Sequence, residues 1–149
     1  MRLSITTPRG ALVDTEVEEV TAAGELGEFG VLPGHVPLMS ALKPGVLWYK
    51  AKDHQGILAL GQGFLQVAPL PQADDHHGGL ARDRVLVLVD QALMARDVDT
   101  ARAEKDLAAA DQGLVGAVEL AVPRGQQTLV ERRGWAQARL DAAARVASH

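Results

Sequence analysis

Cysteine is absent from this 149-residue chain, and aromatic residues make up only 3% of it. The first absence excludes disulfides, thiolate metal ligands and cysteine nucleophiles, and it suits a reducing compartment. The second leaves burial to Leu, Val and Ala, so we expect a shallow core where alanine dominates. No apolar run approaches the roughly 20 residues that cross a bilayer. We therefore expect a soluble chain without a secretory signal, whose contact with a membrane would go through a partner.

Positive charge and nucleophiles are also scarce. The formal net charge is −4, which argues against a nucleic-acid partner, because such proteins carry a basic patch that meets phosphates. Serine occurs only at Ser4, Ser40 and Ser148, and none of the three lies in a G-x-S-x-G motif. The sequence therefore offers no candidate nucleophile for a serine or cysteine hydrolase.

The stretch from Gly24 to Leu38 is unusually rich in glycine and proline. Glycine reaches positive φ without a Cβ clash and proline lacks an N–H donor, so this stretch cannot be a helix. It predicts tight turns and short strand pieces. Its apolar residues that we expect to face a core are Leu26, Phe29, Val31 and Leu32.

Between residues 2 and 90, apolar and polar residues alternate, with Pro and Gly turn signals at close intervals. Strand candidates include Val46–Ala51, Ile57–Leu60, Phe64–Val67 and Val85–Val89. The turn residues between the first two predict a hairpin. Many short strands at this spacing predict an antiparallel β-sandwich over residues 1–90.

Two segments of this region resemble ligand sites. Gly61-Gln62-Gly63-Phe64 begins like a dinucleotide fingerprint but lacks the third glycine and the helix, which favours a turn in a β-protein. The loop at about residues 69–84 is predicted to be exposed, and it contains Asp74-Asp75-His76-His77. These residue types bind zinc or nickel, although adjacent residues in a glycine-rich loop rarely converge on one ion. A stand-alone β-sandwich module that binds a metal or small ligand through His76 and His77 is therefore the alternative function.

After residue 91 the apolar period becomes helical. We expect Asp97 to cap the first helix by accepting a hydrogen bond from the N–H of Thr100. The apolar stripe of this helix is formed by Ala103, Leu107, Ala110 and Leu114. Its end is expected near Gly113 and Gly116, followed by a connector at 115–127 with a short strand at Ala117–Val122.

A second helix is predicted over Leu129–Ala147, with its stripe at Trp135, Ala138, Ala142 and Val146. The fold class is thus β + α: the antiparallel β-sandwich, then a C-terminal α-helical hairpin over 91–149 with a long connector. Because alanine dominates both stripes, we expect the hairpin to dock weakly on the sandwich and to detach at a small cost in free energy.

Charged residues on the two helices allow two interpretations each. Asp99 and Arg102 stand at i and i+3, which gives an intrahelical ion pair or, with Arg102 against a phosphate, a nucleotide contact. The second helix carries arginines at Arg132, Arg133, Arg139 and Arg145. They form either a solvated face or a basic surface for an acidic partner.

Several segments in order resemble the epsilon subunit of the bacterial F-type ATP synthase. They are Leu3 to Gly10, Gly27 to Leu38, Leu42-Lys43-Pro44-Gly45, Gly61 to Val67, and Val98 to Ala103, which fits the family's helix motif Ile/Leu-Asp-x-x-Arg-Ala. Three features depart from the family. Val98 replaces Ile or Leu, the loop from Pro69 to Arg84 is longer, and the connector between the helices is longer and contains Pro123.

The resemblance implies a non-catalytic central-stalk subunit of the rotor, on the cytoplasmic face of the bacterial plasma membrane. Its sandwich would bind the gamma subunit and sit on the c-ring, with the contact formed by Glu25, Glu28 and His35. Its hairpin would dock on the sandwich or extend toward the beta subunits and inhibit ATP hydrolysis, through Arg132, Arg133 and Arg139. No cofactor is required, and regulatory ATP would contact Asp99, Arg102 and Arg139.

Overall fold

The computed structural model describes residues 1–69, 83–120 and 123–148, with side chains at all of these except 116–120 and 123–128. The described strands are β1 Arg2–Thr7, β2 Gly10–Glu16, β3 Glu19–Gly24, β4 Gly27–Val31, β5 Leu38–Leu42, β6 Gly45–Lys50, β7 Gln55–Leu60, β8 Gly63–Pro69, β9 Asp83–Val89 and β10 Ala92–Met94. A 3₁₀ turn at Ala95–Asp97 leads into helices α1 Thr100–Leu120 and α2 Pro123–Ala147.

The strands form one sheet that folds over itself, in the order β10-β7-β6-β3-β5-β8-β9-β1-β2, with β4 paired to β3. Its inner face buries a core whose largest fully enclosed side chains are Leu3, Ile5, Leu47, Leu58 and Leu65. The predicted sandwich followed by a two-helix hairpin is confirmed. The described pairings are antiparallel except that of β1 with β9, which is parallel. The sheet also continues beyond residue 90, because β10 pairs with β7.

The predicted hairpin of β6 and β7 is confirmed, with Leu47 opposite Leu58 and Trp48 opposite Ile57. Both strands are uninterrupted apolar runs because both of their faces are covered. Leu47 and Leu58 face the core, and Val46 and Ile57 on the opposite face pack against α2. These two strands therefore form the support on which the helices lie.

The glycine-rich stretch contributes less to the core than predicted. Val31 is fully buried and Phe29 packs at the edge of the core, but Leu26 and Leu32 are exposed. Leu26 lies in the tight turn between β3 and β4, beside Gly27 at φ 130°, where side chains point into solvent. Leu32 follows the end of β4, so it lacks the strand pairing that directs Phe29 and Val31 inward.

Three local expectations for the helices are wrong. Asp97 ends the 3₁₀ turn, and Asp99 caps α1 instead, with its Oδ1 accepting a hydrogen bond from the Arg102 backbone N–H at 3.0 Å. In place of a strand beginning at Ala117, α1 continues to Leu120. Pro123 is the first residue of α2, where its missing N–H costs nothing.

The helix continues through Gly113, where the missing side chain leaves space for Leu129 of α2, 3.0 Å from where a Cβ would stand. The expected connector is therefore absent as an extended segment: the described helices are separated by residues 121 and 122. The predicted exposed loop lies almost wholly outside the described residues, as do His76 and His77.

Three groups of the sandwich have displaced pKa values, namely Arg2, whose pKa is raised by Asp14, together with Asp14 and Tyr49. Arg2 donates to both carboxylate oxygens of Asp14 at 2.8 Å, and this hydrogen bonding lowers the pKa of Asp14. Burial raises the pKa of the Tyr49 hydroxyl, whose ring covers Gly56 so closely that no Cβ fits there. The Arg2–Asp14 pair joins β1 to β2, and Tyr49 of β6 lies over the paired strand β7.

Gly61 and Gly63 are required by packing rather than by a nucleotide. A Cβ on Gly63 would meet the carbonyl oxygen of Leu88 and the Cα of Val89 on the paired strand, and one on Gly61 would meet the side chain of Asp90. The backbone N–H of Gly61 donates to Gln91, and that of Asp90 donates to Gln62. The turn expected from the sequence is what the structure contains.

We predict that Gly63→Ala lowers the free energy of unfolding by about 3 kcal/mol, because backbone atoms cannot yield to the added methyl group. Urea denaturation of the two proteins measures the difference. Gly30→Ala is the matched control, since its Cβ would have no neighbour closer than 4.0 Å. Equal midpoints for wild type and Gly63→Ala would contradict the packing argument.

Candidate functional site

The contact between α2 and the sheet is formed by small apolar side chains. Ala138 and Ala142 are fully buried, and they meet a surface formed by Val46, Ile57, Ala59 and Ala95. Trp48 on the sheet and Trp135 on α2 pack against the same cluster. We call these eight residues the seam. The helix α1 lies on α2 rather than on the sheet.

The composition of the seam determines its strength. Alanine buries one methyl group, so each contact contributes far less than the roughly 1.5–3 kcal/mol of a buried Leu or Phe. Of the stripe predicted for α2, Ala138 and Ala142 are buried, Trp135 is half-buried and Val146 is exposed. The main core contains no residue of either helix, so among the sandwich strands the hairpin contributes to burial at the outer face of β6 and β7.

Three arginines of α2 pair with acids of this same chain. Arg133 Nε lies 2.6 Å from Asp111 Oδ1, and Arg139 Nη2 lies 2.8 Å from Asp106 Oδ2, both across the helix pair. The third pair joins Arg145 Nη1 to Glu28 Oε2 on β4 at 3.4 Å. The basic face expected on this helix is thus largely neutralised when the hairpin is docked.

The two interhelical pairs differ in their access to water. The side chain of Arg139 is only 12% exposed, its guanidinium stacks 5.4 Å above the Trp135 ring, and its Nε is buried without a hydrogen-bond partner. That of Arg133 is 47% exposed. Beside Arg139 lies a cavity of about 340 Å³ that Leu129, Arg132 and Trp135 also line.

Of the three residues predicted to hold a nucleotide, Asp99 and Arg102 lie at the start of α1 and Arg139 lies on α2. Asp99 occupies the N-terminus of α1, where its carboxylate takes the position that an anion would favour. Arg102 is exposed, and within the described chain its guanidinium makes no ion pair. Arg139 of α2 lies opposite Asp106 of α1.

The residues predicted to meet a c-ring are also divided. Glu25 lies in the turn before β4, and Glu28 is the second residue of that strand. His35 follows the other end of β4, where its Nδ1 lies 2.7 Å from the carbonyl oxygen of Val36. Since Glu28 faces Arg145, it serves the docked hairpin in this arrangement.

Sequence reasoning missed an apolar area on the outer face of the sheet. Met39 of β5, Phe64 of β8 and Leu88 of β9 are 67%, 55% and 48% exposed. Phe64 is paired directly with Leu88, and Met39 stands opposite Gln66, so the three share one face. We call them the outer patch. The sequence feature that could have revealed this patch is the pair Phe64-Leu65, because adjacent residues of a strand cannot both face the core.

Comparison with known proteins places this fold. The family described as "ATP synthase, Delta/Epsilon chain, beta-sandwich domain" matches residues 1–70. The chain is 39% identical over 115 residues to the ATP synthase epsilon chain of Trichlorobacter lovleyi, covering 76% of this chain and 73% of that one. It is 38% identical over 114 residues to that of Geotalea uraniireducens, with the same coverage.

This chain belongs to the ATP synthase epsilon-chain family. It is accordingly a non-catalytic stalk subunit of that complex, and the metal-binding alternative is not supported. Among the described residues no three His, Asp or Glu side chains converge on a metal position. Neither described helix combines the length and the apolarity that a bilayer crossing requires.

Solved structures extend the likeness in fold to the hairpin. A chain in the cryo-EM structure of the Euglena gracilis mitochondrial ATP synthase, OSCP/F1/c-ring, aligns with a TM-score of 0.69 at 19% identity, covering 99% of this chain and 80% of that one. A chain in the Tetrahymena thermophila mitochondrial ATP synthase central stalk/c-ring aligns at 0.60 and 16%, covering 96% of each.

We predict that Ala142→Leu releases the hairpin while the sandwich stays folded. The larger side chain has no space against the seam, and overpacking of this kind costs about 1–3 kcal/mol, a large share of a weak contact. Trp48 and Trp135 are the chain's two tryptophans, and both lie in the seam, so their fluorescence should shift to longer wavelength.

The matched control is Ala147→Leu, at an exposed position of the same helix. It should leave the emission unchanged. Identical spectra for wild type and Ala142→Leu, with identical resistance of the hairpin to protease, would show that Ala142 does not set the docking.

Proposed function

We propose that this chain binds the gamma subunit of the rotor through its sandwich and restrains ATP hydrolysis through its hairpin. The observation that carries the proposal is the division of the molecule into a sandwich with its own main core and a helix pair whose fully buried contacts with the sheet are alanines. The epsilon-chain family membership supplies the complex in which the two parts act. Association with the membrane is then indirect, at the cytoplasmic face, through the c-ring.

The outer patch is the surface that we assign to gamma. Contiguous exposed apolar side chains on a sheet face are characteristic of protein interfaces, whereas isolated ones are not. An aromatic side chain between two aliphatic ones has the composition of an interface hot spot. The patch also lies on β5, β8 and β9, away from the seam on β6 and β7, so gamma and the hairpin can be bound together.

We predict that Phe64→Glu weakens binding to gamma about tenfold or more, because it removes an apolar anchor and places a charge in a desolvated contact. Titration of labelled gamma with the purified chain measures the affinity. Gln66→Glu adds the same charge on the same face and strand but removes no apolar group. Unchanged affinity for Phe64→Glu, or an equal loss in both variants, would contradict an apolar anchor at Phe64.

The hairpin is the part that we assign to inhibition. In the docked arrangement the arginines that would meet an acidic surface on beta are held by Asp106, Asp111 and Glu28. Release of the hairpin from the sheet frees Arg145, whereas Arg133 and Arg139 become free when α1 also separates from α2. The closed and docked hairpin therefore prevents the contact, and its release and opening make it available.

We predict that removal of residues 99–149 raises the ATPase activity of the assembled complex, since the inhibitory segment is lost. The truncated chain keeps the whole main core and the 3₁₀ turn. The comparison is the complex with the full-length chain, after gel analysis shows equal amounts of gamma and epsilon in both. An unchanged rate of hydrolysis in a complex of complete stoichiometry would rule out inhibition by the hairpin.

The remaining contacts stay predictions. We assign the c-ring contact to Glu25, Glu28 and His35, of which Glu28 is shared with the docked hairpin through Arg145. Regulatory ATP at Asp99, Arg102 and Arg139 would have to displace Asp106 from Arg139 and overcome the repulsion of Asp99.

A further inference from the structure

Arg139 is the cation of α2 that is most strongly tied to the docked hairpin. Its guanidinium lies between Asp106 of α1 and the ring of Trp135, and Trp135 in turn packs in the seam. One side chain thus connects α1, α2 and the sheet. Among the described residues it is the one arginine of α2 that combines an ion pair with stacking on an aromatic ring.

The burial of Arg139 makes its carboxylate partner indispensable. A desolvated cation without an opposite charge is expensive, whereas an exposed one is solvated by water at little cost. Nε of Arg139 already lacks a hydrogen-bond partner, so the charge depends on the contact of Nη2 with Asp106. Arg133 is half exposed, and water can replace Asp111.

We propose that Asp106 is the acid that keeps the hairpin closed, by holding Arg139 and withholding it from an acidic partner surface. Loss of this carboxylate favours separation of α1 from α2, because separation returns the guanidinium to water. The hydration of Arg133, which is already half exposed, changes little when the helices separate. This inference rests on the proposed function only for its consequence in the complex, since the closed hairpin itself belongs to the isolated chain.

The test measures the distance between α1 and α2 in the full-length protein. The chain has no cysteine, so Ala108→Cys and Ala144→Cys, both at exposed positions, take spin labels without background. Pulsed electron resonance then gives the populations of closed and open molecules. In Asp106→Asn we expect the ratio of open to closed molecules to rise about tenfold, which corresponds to 1.4 kcal/mol.

Asp111→Asn is the matched control, since it removes the same charge from the exposed interhelical pair on the same helix. It should change the ratio by less than about twofold, as expected for a surface pair. The double variant Asp106→Asn/Arg139→Gln removes both partners and should return most molecules to the closed state. An equal shift in both single variants, no shift in either, or no recovery in the double variant would overturn the proposal.

Measurement of ATP hydrolysis by the assembled complex distinguishes the role of Asp106 from the inhibitory role of the hairpin. If both hold, Asp106→Asn inhibits hydrolysis more strongly than wild type, and Asp111→Asn does not. If the labels report opening but hydrolysis is unchanged, the role of Asp106 stands and the inhibitory role of the hairpin fails. If hydrolysis falls without opening, the role assigned to Asp106 is wrong.

Discussion

The contact between α2 and the strands β6 and β7 is the constraint on which the rest of the structure depends. One face of these strands lines the core of the sandwich, and the other face is the surface on which α2 packs. Val46 and Ile57 offer branched apolar surface, but α2 meets it with Ala138 and Ala142. A leucine-rich helix would have sealed the same surface with more free energy. Alanine contributes little apolar area to this contact, which agrees with the proposed release of the hairpin.

Charge adds specificity to this weak contact. The ion pairs of Arg133 and Arg145 are exposed, and pairs of this kind contribute between zero and about 1 kcal/mol. These pairs affect the orientation of the helix more than the free energy of its docking. The pair of Arg139 with Asp106 differs because the arginine is desolvated under Trp135, so losing one partner costs more than the pair contributes when intact. Docking, hairpin closure and the masking of basic charge are therefore coupled through one side chain.

Much of the fold could be predicted from the chain by itself, and the errors have common physical causes. Alternation identified the strands, and the spacing of Ala138 and Ala142 identified the buried stripe of α2. The cap of α1 was placed two residues early because Asp97 and Asp99 are chemically equivalent candidates, and backbone geometry selects between them. Gly113 and Pro123 read as helix terminators, but the first is covered by Leu129 and the second begins a helix. Leu26 and Leu32 were assigned to the core because composition does not reveal which turn residues point outward.

The sequence by itself determined the fold class, the alanine-rich composition of the helical hairpin, and the family through motifs in a fixed order. These properties depend on local periodicity and on residue type, which are visible along the chain. Only the tertiary structure decided which residues act together. It paired Arg139 with Asp106 and Arg145 with Glu28, separated Glu25 from His35 along β4, and brought Met39, Phe64 and Leu88 from three strands to one face. Those relations join residues distant in sequence, and strand register and helix packing set them.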